Sequence, residues 1–246
     1  MEGAEVSAER LGLTGSKGTV FEAVDVDAPP GALIAVTGPS GSGRTCLLLT
    51  LTGRMRPTTG HASVGGHRIP SRMGSVRRIA ALGPVPGVTD LEPSWTVTEQ
   101  LRERALLRRR LGFGRRERAA ERRARVDRAL ERAGLDPDTL PKGPRTAVRD
   151  LERLEALRLG TALALLDEPR LLAVDDADLK LADEEREQLW ELLRSVSGAG
   201  TTVLAVCSEP PPDALVLGTA RGGGDTDEEG IGEGEAQDAL TETGRA

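Results

Sequence analysis

A chain of 246 residues, 38% hydrophobic and 29% charged, suits one α/β domain with room for a subdomain and a sizeable core. No apolar run reaches membrane-spanning length, no signal-peptide core opens the sequence, and two distant cysteines, Cys46 and Cys207, give neither a disulfide framework nor a metal spacing. This argues against a membrane-embedded chain and a disulfide-stapled secreted module, and predicts a cytoplasmic protein held at a membrane only through a partner. The net charge of −6 is unevenly spread: residues 222–246 hold eight acidic residues and one arginine, a net of −7, so subtraction leaves the rest at about +1. That glycine-rich acidic tail is nearly free of apolar residues and reads as a disordered, solubilising segment.

Residues 1–36 read as strands. Val20–Val26 alternates in part, Pro29-Pro30-Gly31 turns, and the apolar run Ala32-Leu33-Ile34-Ala35-Val36 forms a core strand. It feeds Gly38-Pro39-Ser40-Gly41-Ser42-Gly43-Arg44-Thr45, after which Leu47-Leu48-Leu49 opens a helix. Strand, glycine-dense turn and helix start are the context of a phosphate-binding loop. There, backbone N–H groups surround a phosphate and the helix N-terminus adds partial positive charge. A hydroxyl in the first helical turn, here Thr45, can ligate Mg²⁺. The pattern G-x-x-x-x-G-K-[ST] is met except that Arg44 replaces the lysine. The nucleotide-binding set expected from this stretch is Gly38, Ser40, Gly41, Ser42, Gly43, Arg44, Thr45 and Cys46; the alternative is a glycine-rich turn joining a core strand to a core helix.

Arg56-Pro57-Thr58-Thr59-Gly60 then breaks the chain, and His61–Gly66 reads as a short strand and turn, with His61 and His67 at the surface. Ile79-Ala80-Ala81-Leu82 is a further apolar piece, followed by a proline-rich segment that cannot be helical. From Thr96 to Ala133 the chain reads as helical, with Gly112-Phe113-Gly114 splitting it in two. Thirteen arginines and six acidic residues lie between Glu99 and Ala133. Clustered arginine raises nucleic-acid binding, but acids at helical spacing (Glu117/Glu121, Asp127/Glu131) and a single aromatic, Phe113, favour a solvated face laced with ion pairs and no nucleic acid.

Beyond a loop at Pro141–Pro144, the spacing of Val148, Leu151, Leu154 and Leu157 predicts a helix running to about Leu166. Arg170–Val174 is a buried strand ending in Asp175-Asp176. Leu189, Leu192, Leu193 and Val196 mark another helix with Asp183 as its cap, and Thr201–Val206 and Ala214–Leu217 are the last strands. Strands alternating with helices imply a largely parallel sheet with crossover helices. A phosphate loop needs a carboxylate to position Mg²⁺, and Leu171-Leu172-Ala173-Val174-Asp175 supplies one at a strand end. Asp176 follows where a catalytic carboxylate would polarise water. The plainer alternative is that both aspartates merely begin a turn.

The chain resembles the ATP-binding subunit of an ABC transporter from about Leu11 to Leu217. Beyond the phosphate loop (Walker A), the likeness rests on Pro57-Thr58-Thr59-Gly60 with Val64-Gly65-Gly66-His67, on Thr96-Val97-Thr98-Glu99-Gln100-Leu101, and on Ala164–Leu172 approaching Walker B. Trp190-Glu191-Leu192-Leu193 and Gly200–Leu204 continue it. The resemblance implies a P-loop NTPase fold of the ABC cassette type. That means a mainly parallel core sheet, an N-terminal β subdomain and an inserted helical subdomain at about 96–160, within a cassette of residues 1–221. It also implies ATP and Mg²⁺ as ligands, with Thr45 and Asp175 at the metal and Asp176 as the catalytic candidate. The implied partners are a membrane-spanning transporter subunit and a second ATP-binding subunit in a homo- or heterodimer, with the protein peripheral at the inner face of the cell membrane.

Much of what the family uses for turnover is altered here. Gly15 and Ser16 stand where an aromatic stacks on adenine, and Phe21 reads as core. Cys46 replaces the usual threonine, and Ala81-Leu82-Gly83-Pro84 lacks the expected glutamine. Leu151-Glu152-Arg153-Leu154-Glu155 replaces the signature Leu-Ser-Gly-Gly-Gln, setting carboxylates and bulk where the γ-phosphate is gripped. Asp176 is one methylene shorter than glutamate, and Ser208 replaces the switch histidine. Three readings remain: a transporter subunit that binds Mg-ATP with weak or absent hydrolysis, a nucleotide-sensing module without turnover, and a scaffold that binds no nucleotide.

Overall fold

The computed structural model describes residues 2–110 and 118–219. Two sheets organise it. The first is antiparallel: β1 (Val6–Gly15) and β2 (Gly18–Ala28) form a hairpin turning at Ser16-Lys17, β4 (Thr59–Val64) pairs with the other edge of β1, and β5 (His67–Ile69) closes the order β2-β1-β4-β5. The alternation in β2 is partial because the β1–β2 register shifts between Ala8 and Leu11 and again beyond it, with Arg10 and Ala23 at positive φ.

The second sheet is parallel, in the order β6-β7-β8-β3-β9, from β3 (Leu33–Thr37), β6 (Ala80–Leu82), β7 (Leu171–Val174), β8 (Thr202–Val206) and β9 (Leu215–Gly218). Its central strands are continuous apolar runs because both faces are covered. On one side, α1 (Arg44–Leu51) and the antiparallel sheet enclose Leu11, Phe21, Ile34, Leu47 and Leu171, so Phe21 is core as expected. On the other, α5 (Arg153–Leu165) and α6 (Asp183–Gly198) cover Ala35, Leu172 and Val203 with Leu157, Trp190 and Leu193.

The basic region forms α3 (Val97–Arg110) and α4 (Ala119–Arg132), after the short α2 (Met73–Ile79). Gly112-Phe113-Gly114 and the acidic tail lie outside the described residues. Several arginines of α3 and α4 hold structure together rather than pairing along one face. Arg104 Nη2 sits 2.5 Å from Asp167 Oδ2, Arg128 Nη2 3.9 Å from Glu168 Oε1, and Arg132 donates to Thr201 Oγ1 at 3.1 Å. Arg125 is buried at 6% exposure and donates to the Leu166 carbonyl at 3.1 Å, correcting the picture of a wholly solvated face. Helix ends leave carbonyls outside the helical ladder, and a buried guanidinium brings several donors to them at once.

Two predicted helix starts move. Val148–Asp150 is a 3-10 turn and α5 begins only at Arg153. Both a 3-10 turn and an α-helix place i and i+3 on one side, so the leucine spacing alone cannot separate them. The start is fixed by Glu155, whose Oε2 accepts from the Glu152 N–H at 2.8 Å. Likewise α6 is not capped by Asp183, which is its first helical residue and pairs with Arg186; Glu185 Oε2 accepts from the Ala182 N–H at 2.8 Å.

Candidate functional site

The site forms where β3, β7 and β8 end on the same side of the parallel sheet, as parallel strands joined by crossovers require. From β3 the chain passes through residues 38–43 into α1, with Gly43 as N-cap at φ 79°. A Cβ on Gly43 would lie 2.7 Å from the Val20 carbonyl, so the β1–β2 hairpin is pressed against the loop. Gly41, at φ 75°, is exposed, and a Cβ there would meet nothing within 4 Å. The loop is thus tight toward the protein and open toward solvent. Ser40 is exposed and Cys46 half-buried. Ser42 is 1% exposed, and its hydroxyl lies 2.6 Å from Thr219 Oγ1. Thr219 follows β9, its N–H donates to the Thr37 carbonyl at 2.8 Å, and it lies against Gly38.

Thr45 and Asp175, 130 positions apart, meet here: Thr45 Oγ1 donates to Asp175 Oδ2 at 2.7 Å. Asp175 is 2% exposed, and Asp175 Oδ1 accepts from the Asp176 N–H at 3.0 Å. Burial raises the Asp175 carboxyl above the usual range, the Thr45 hydrogen bond opposes this, and the Asp176 charge adds to it. A hydroxyl and a buried carboxylate, crowded by a second carboxylate, make an oxygen-rich corner suited to a hard divalent cation, whose charge would offset both. Asp176 itself is half-buried at φ 46°, a left-handed conformation uncommon for aspartate.

Arg44 Nη1 donates to the Cys207 carbonyl at 3.3 Å, bridging the loop to the end of β8. The next two amides, of Ser208 and Glu209, each donate to Asp178 Oδ2 at 2.8 Å. Asp178 is only 8% exposed and draws the β7 and β8 turns together. Segment 81–84 lies alongside, with Asp175 N donating to the Pro84 carbonyl at 2.8 Å. From the start of α5, Arg153 reaches the carbonyls of Asp176 and Leu179 at 3.4 Å each. The predicted set therefore converges. Sequence reading missed Asp178 and Thr219; Asp178 stands two residues after Asp176, but nothing local marks Thr219. Two shallow depressions, of ≈ 480 and ≈ 590 Å³, lie elsewhere, beside Arg10 and His61 and beside Thr96 and Lys142.

Residues 21–178 match the sequence profile of the ABC transporter family. The chain belongs to that family. A Nod factor export ATP-binding protein I from Cupriavidus metallidurans is 32% identical over 185 residues, spanning 75% of this chain and 56% of the relative. One from Burkholderia pseudomallei is 34% identical over the same shares. The chain thus spans little more than half the length of these relatives. Among solved structures, a dimeric bacterial ABC transporter cassette superposes with a TM-score of 0.69 at 20% identity, covering 87% of this chain and 94% of that one. A Clostridium perfringens cassette, cbiO1, described as part of an ABC transporter complex, gives 0.68 at 17%, covering 89% and 88%. These two likenesses establish the cassette fold.

Two expectations concern this ABC cassette's own packing. Thr219→Val leaves the buried Ser42 hydroxyl without its partner and should lower stability by about 1–3 kcal/mol. Adding Ser42→Ala should recover most of that loss, because removing both partners is far cheaper than removing one. Denaturant unfolding of the two variants checks this. Burial, with Asp178 adding and Arg44 opposing, pushes the Cys207 thiol up to about 12, and the residue is 1% exposed. Cys207 should therefore resist a thiol reagent at pH 8 in the folded cassette and react on unfolding, as labelled-peptide mapping would show.

Proposed function

We propose that this cassette binds Mg²⁺-ATP as the ATP-binding subunit of a membrane transporter, with hydrolysis in its own site weak or absent. The observation that carries the reading is the Thr45–Asp175 pair at 2.7 Å beside a glycine loop that is open to solvent at Gly41. In this reading the amides of Gly38, Ser40, Gly41, Ser42, Gly43, Arg44, Thr45 and Cys46 hold phosphates, and Thr45 and Asp175 hold the metal. A divalent cation bound there supplies charge neutralisation for the phosphate oxygens. Arg44 serves as a planar, permanently charged phosphate partner once it leaves the Cys207 carbonyl.

Weak turnover is what the surroundings favour. Asp176 is the candidate carboxylate for orienting water, and its backbone, in a left-handed turn, is contacted at its carbonyl by Arg153 from the segment that replaces the signature. The Glu155 carboxylate is committed to starting α5 by accepting from the Glu152 N–H, so the segment spends that amide on its own helix and sets carboxylates where a phosphate would need donors. Pairing with an intact cassette would supply this chain's nucleotide with a working signature in trans. The proposed partners are such a cassette, or a second copy, and a membrane-spanning subunit, with this chain peripheral at the inner face of the membrane. The relatives' names make export the transport direction to test first. In this scheme residues 1–221 are the cassette, about 96–160 its helical subdomain, and 222–246 the acidic tail.

One observation favours the second reading, a nucleotide sensor without turnover. The Arg44–Cys207 contact links the phosphate loop to the β8 turn that Asp178 grips, so phosphate binding to Arg44 would free that carbonyl. Calorimetric titration with Mg-ATP and ATPγS tests both readings. Saturable, Mg²⁺-dependent binding that Asp175→Asn weakens is the expected result. Absence of binding at millimolar nucleotide would leave the scaffold reading for the isolated chain.

A further inference from the structure

Between Asp27 and Asp90 the sequence carries seven arginines and no acidic residue, in a protein whose net charge is −6. Arg44 belongs to the phosphate loop; the other six meet beyond the far end of α1. Arg54 donates from Nη1 to the Thr52 carbonyl at 3.0 Å and from Nη2 to the Ala80 carbonyl at 3.2 Å. Arg77, on α2, donates to the neighbouring Gly53 carbonyl at 2.8 Å, and Arg78 follows it. Arg68 and Arg72 bracket the turn from β5 into α2, with the Arg72 amide bonded to the Arg68 carbonyl at 2.6 Å. Arg56 stands just beyond Arg54, and all six are exposed except the half-buried Arg54. The eight residues of α1 set this group about 12 Å from the phosphate loop.

Elsewhere in the fold arginine is answered by carboxylate: Arg104 by Asp167, Arg128 by Glu168, Arg186 by Glu209 and Arg194 by Asp213. Among the described residues, no acidic group lies within ion-pair distance of any of these six. Where their side chains donate, the acceptors are neutral: backbone carbonyls, and Ser75 Oγ for Arg78 at 2.8 Å. Burial, and then the charges of Arg77 and Arg104, pull the Arg54 guanidinium down to about 10. Like charge is crowded here, and an incoming anion would relieve it. Residues 28–89 hold no aromatic side chain to stack on a base, and α2, at seven residues, is too short to fill a nucleic-acid groove. The large apolar side chains exposed among the described residues, Leu106, Leu107, Leu179 and Val216, lie outside this stretch. It therefore lacks the apolar anchor found at the centre of most protein interfaces. Guanidinium groups spread over an open surface suit a layer of anionic headgroups instead.

We propose that this arginine face, built from the turn after α1, the β5–α2 turn and α2, docks on an anionic phospholipid surface. This adds a direct lipid contact to the reading of the chain as peripheral at a membrane, and it holds whether or not the phosphate loop takes nucleotide. Each arginine held near such a surface strengthens binding about 5-fold, and the effect fades beyond a Debye length. Contact must therefore be oriented. The net-negative protein as a whole is repelled, and it is drawn in only with this face turned to the membrane.

The test is sedimentation of the full chain, without nucleotide, with vesicles of phosphatidylcholine alone or mixed with phosphatidylglycerol. Neither vesicle contains a membrane protein, so the outcome bears on the lipid contact and not on recruitment by a membrane subunit. The wild type should bind the mixed vesicles at low salt, ignore the neutral ones and be released at high salt. A variant carrying Arg56→Gln, Arg68→Gln, Arg72→Gln and Arg78→Gln spares Arg54 and Arg77, which bond backbone carbonyls, and should unfold in denaturant like the wild type. Its binding should fall at least about 100-fold. A control carrying Arg102→Gln, Arg118→Gln, Arg122→Gln and Arg123→Gln, from α3 and α4, should keep most of the binding. Failure of the wild type to bind mixed vesicles, equal binding to neutral ones, or equal loss in the two variants overturns the proposal. So does capture of polyglutamate or duplex DNA in place of vesicles through the same four arginines, which would assign the face to an acidic protein or a nucleic acid.

Discussion

Asp175→Asn should cost at least about 10-fold in Mg²⁺-dependent nucleotide affinity and leave the nucleotide-free chain more stable than the wild type. Both effects come from one carboxylate. Asp175 is 2% exposed, and burial, with the Asp176 charge, raises its proton affinity despite the Thr45 hydrogen bond. Between the ordinary and the raised value the folded chain holds a proton that the unfolded chain has released. Stability therefore falls as pH rises through that window, and the loss persists above it. Asparagine is nearly isosteric, can keep both contacts by accepting from the Asp176 N–H and donating to Thr45 Oγ1, and carries no charge to bury. The gain at neutral pH should be about 0.5–2 kcal/mol, as when strain kept for a ligand is removed, and should vanish in acid. Thermal unfolding with and without Mg-nucleotide reads both effects: at the same ligand concentration the rise in Tm should be smaller in the variant than in the wild type, by about 1.4 kcal/mol of stabilisation for each 10-fold of lost affinity. A variant less stable than the wild type at neutral pH would mean that the charge is already compensated within the fold.

Gly41→Ala and Gly43→Ala should fail in different ways. Both residues have φ near 75–79°, so an L side chain costs about 1–2 kcal/mol at either. At Gly43 the new Cβ also meets the Val20 carbonyl at 2.7 Å, which adds about 1–3 kcal/mol of overpacking. The hairpin must move or α1 must start elsewhere, and stability and binding fall together. At Gly41 the Cβ meets nothing within 4 Å, so the fold should lose little beyond the backbone term. The methyl instead stands on the open side of the loop, where a phosphate would approach. Binding should weaken at least about 10-fold while denaturant unfolding shifts only slightly. Undiminished binding by Gly41→Ala would show that this face does not contact phosphate.

The strand–loop–helix unit was legible because its signals are local: an apolar run, glycines at fixed offsets, then leucines. Asp175 was legible for the same reason, as the polar end of a buried run. Phe21 was recognisable as core from its place in an alternating strand. The Ser42–Thr219 bond was not legible, since it joins residues 177 positions apart and a threonine after a short strand has many other uses. The capture of the Ser208 and Glu209 amides by Asp178 is equally non-local. Glu152 and Glu155 read first as repulsive substitutions; in the fold Glu155 caps the helix start by accepting from the Glu152 N–H, a role available to a glutamate at that helix position anywhere. The burial of Arg125 was hidden because the helical pattern shows thirteen similar arginines and only packing singles one out. β5 and α2, three and seven residues long, are too short for periodicity to register.

The central claim is that this cassette holds Mg²⁺-ATP in a site unable to turn it over efficiently alone. Phosphate release from the purified full chain, at Mg-ATP concentrations shown by calorimetry to saturate it, tests that claim most directly. The account predicts bound nucleotide recovered as ATP, with release well below about 1 s⁻¹, the lower end of typical enzyme turnover. Release at or above that rate, lost in Asp176→Asn, would contradict it and establish a working catalytic centre in this chain.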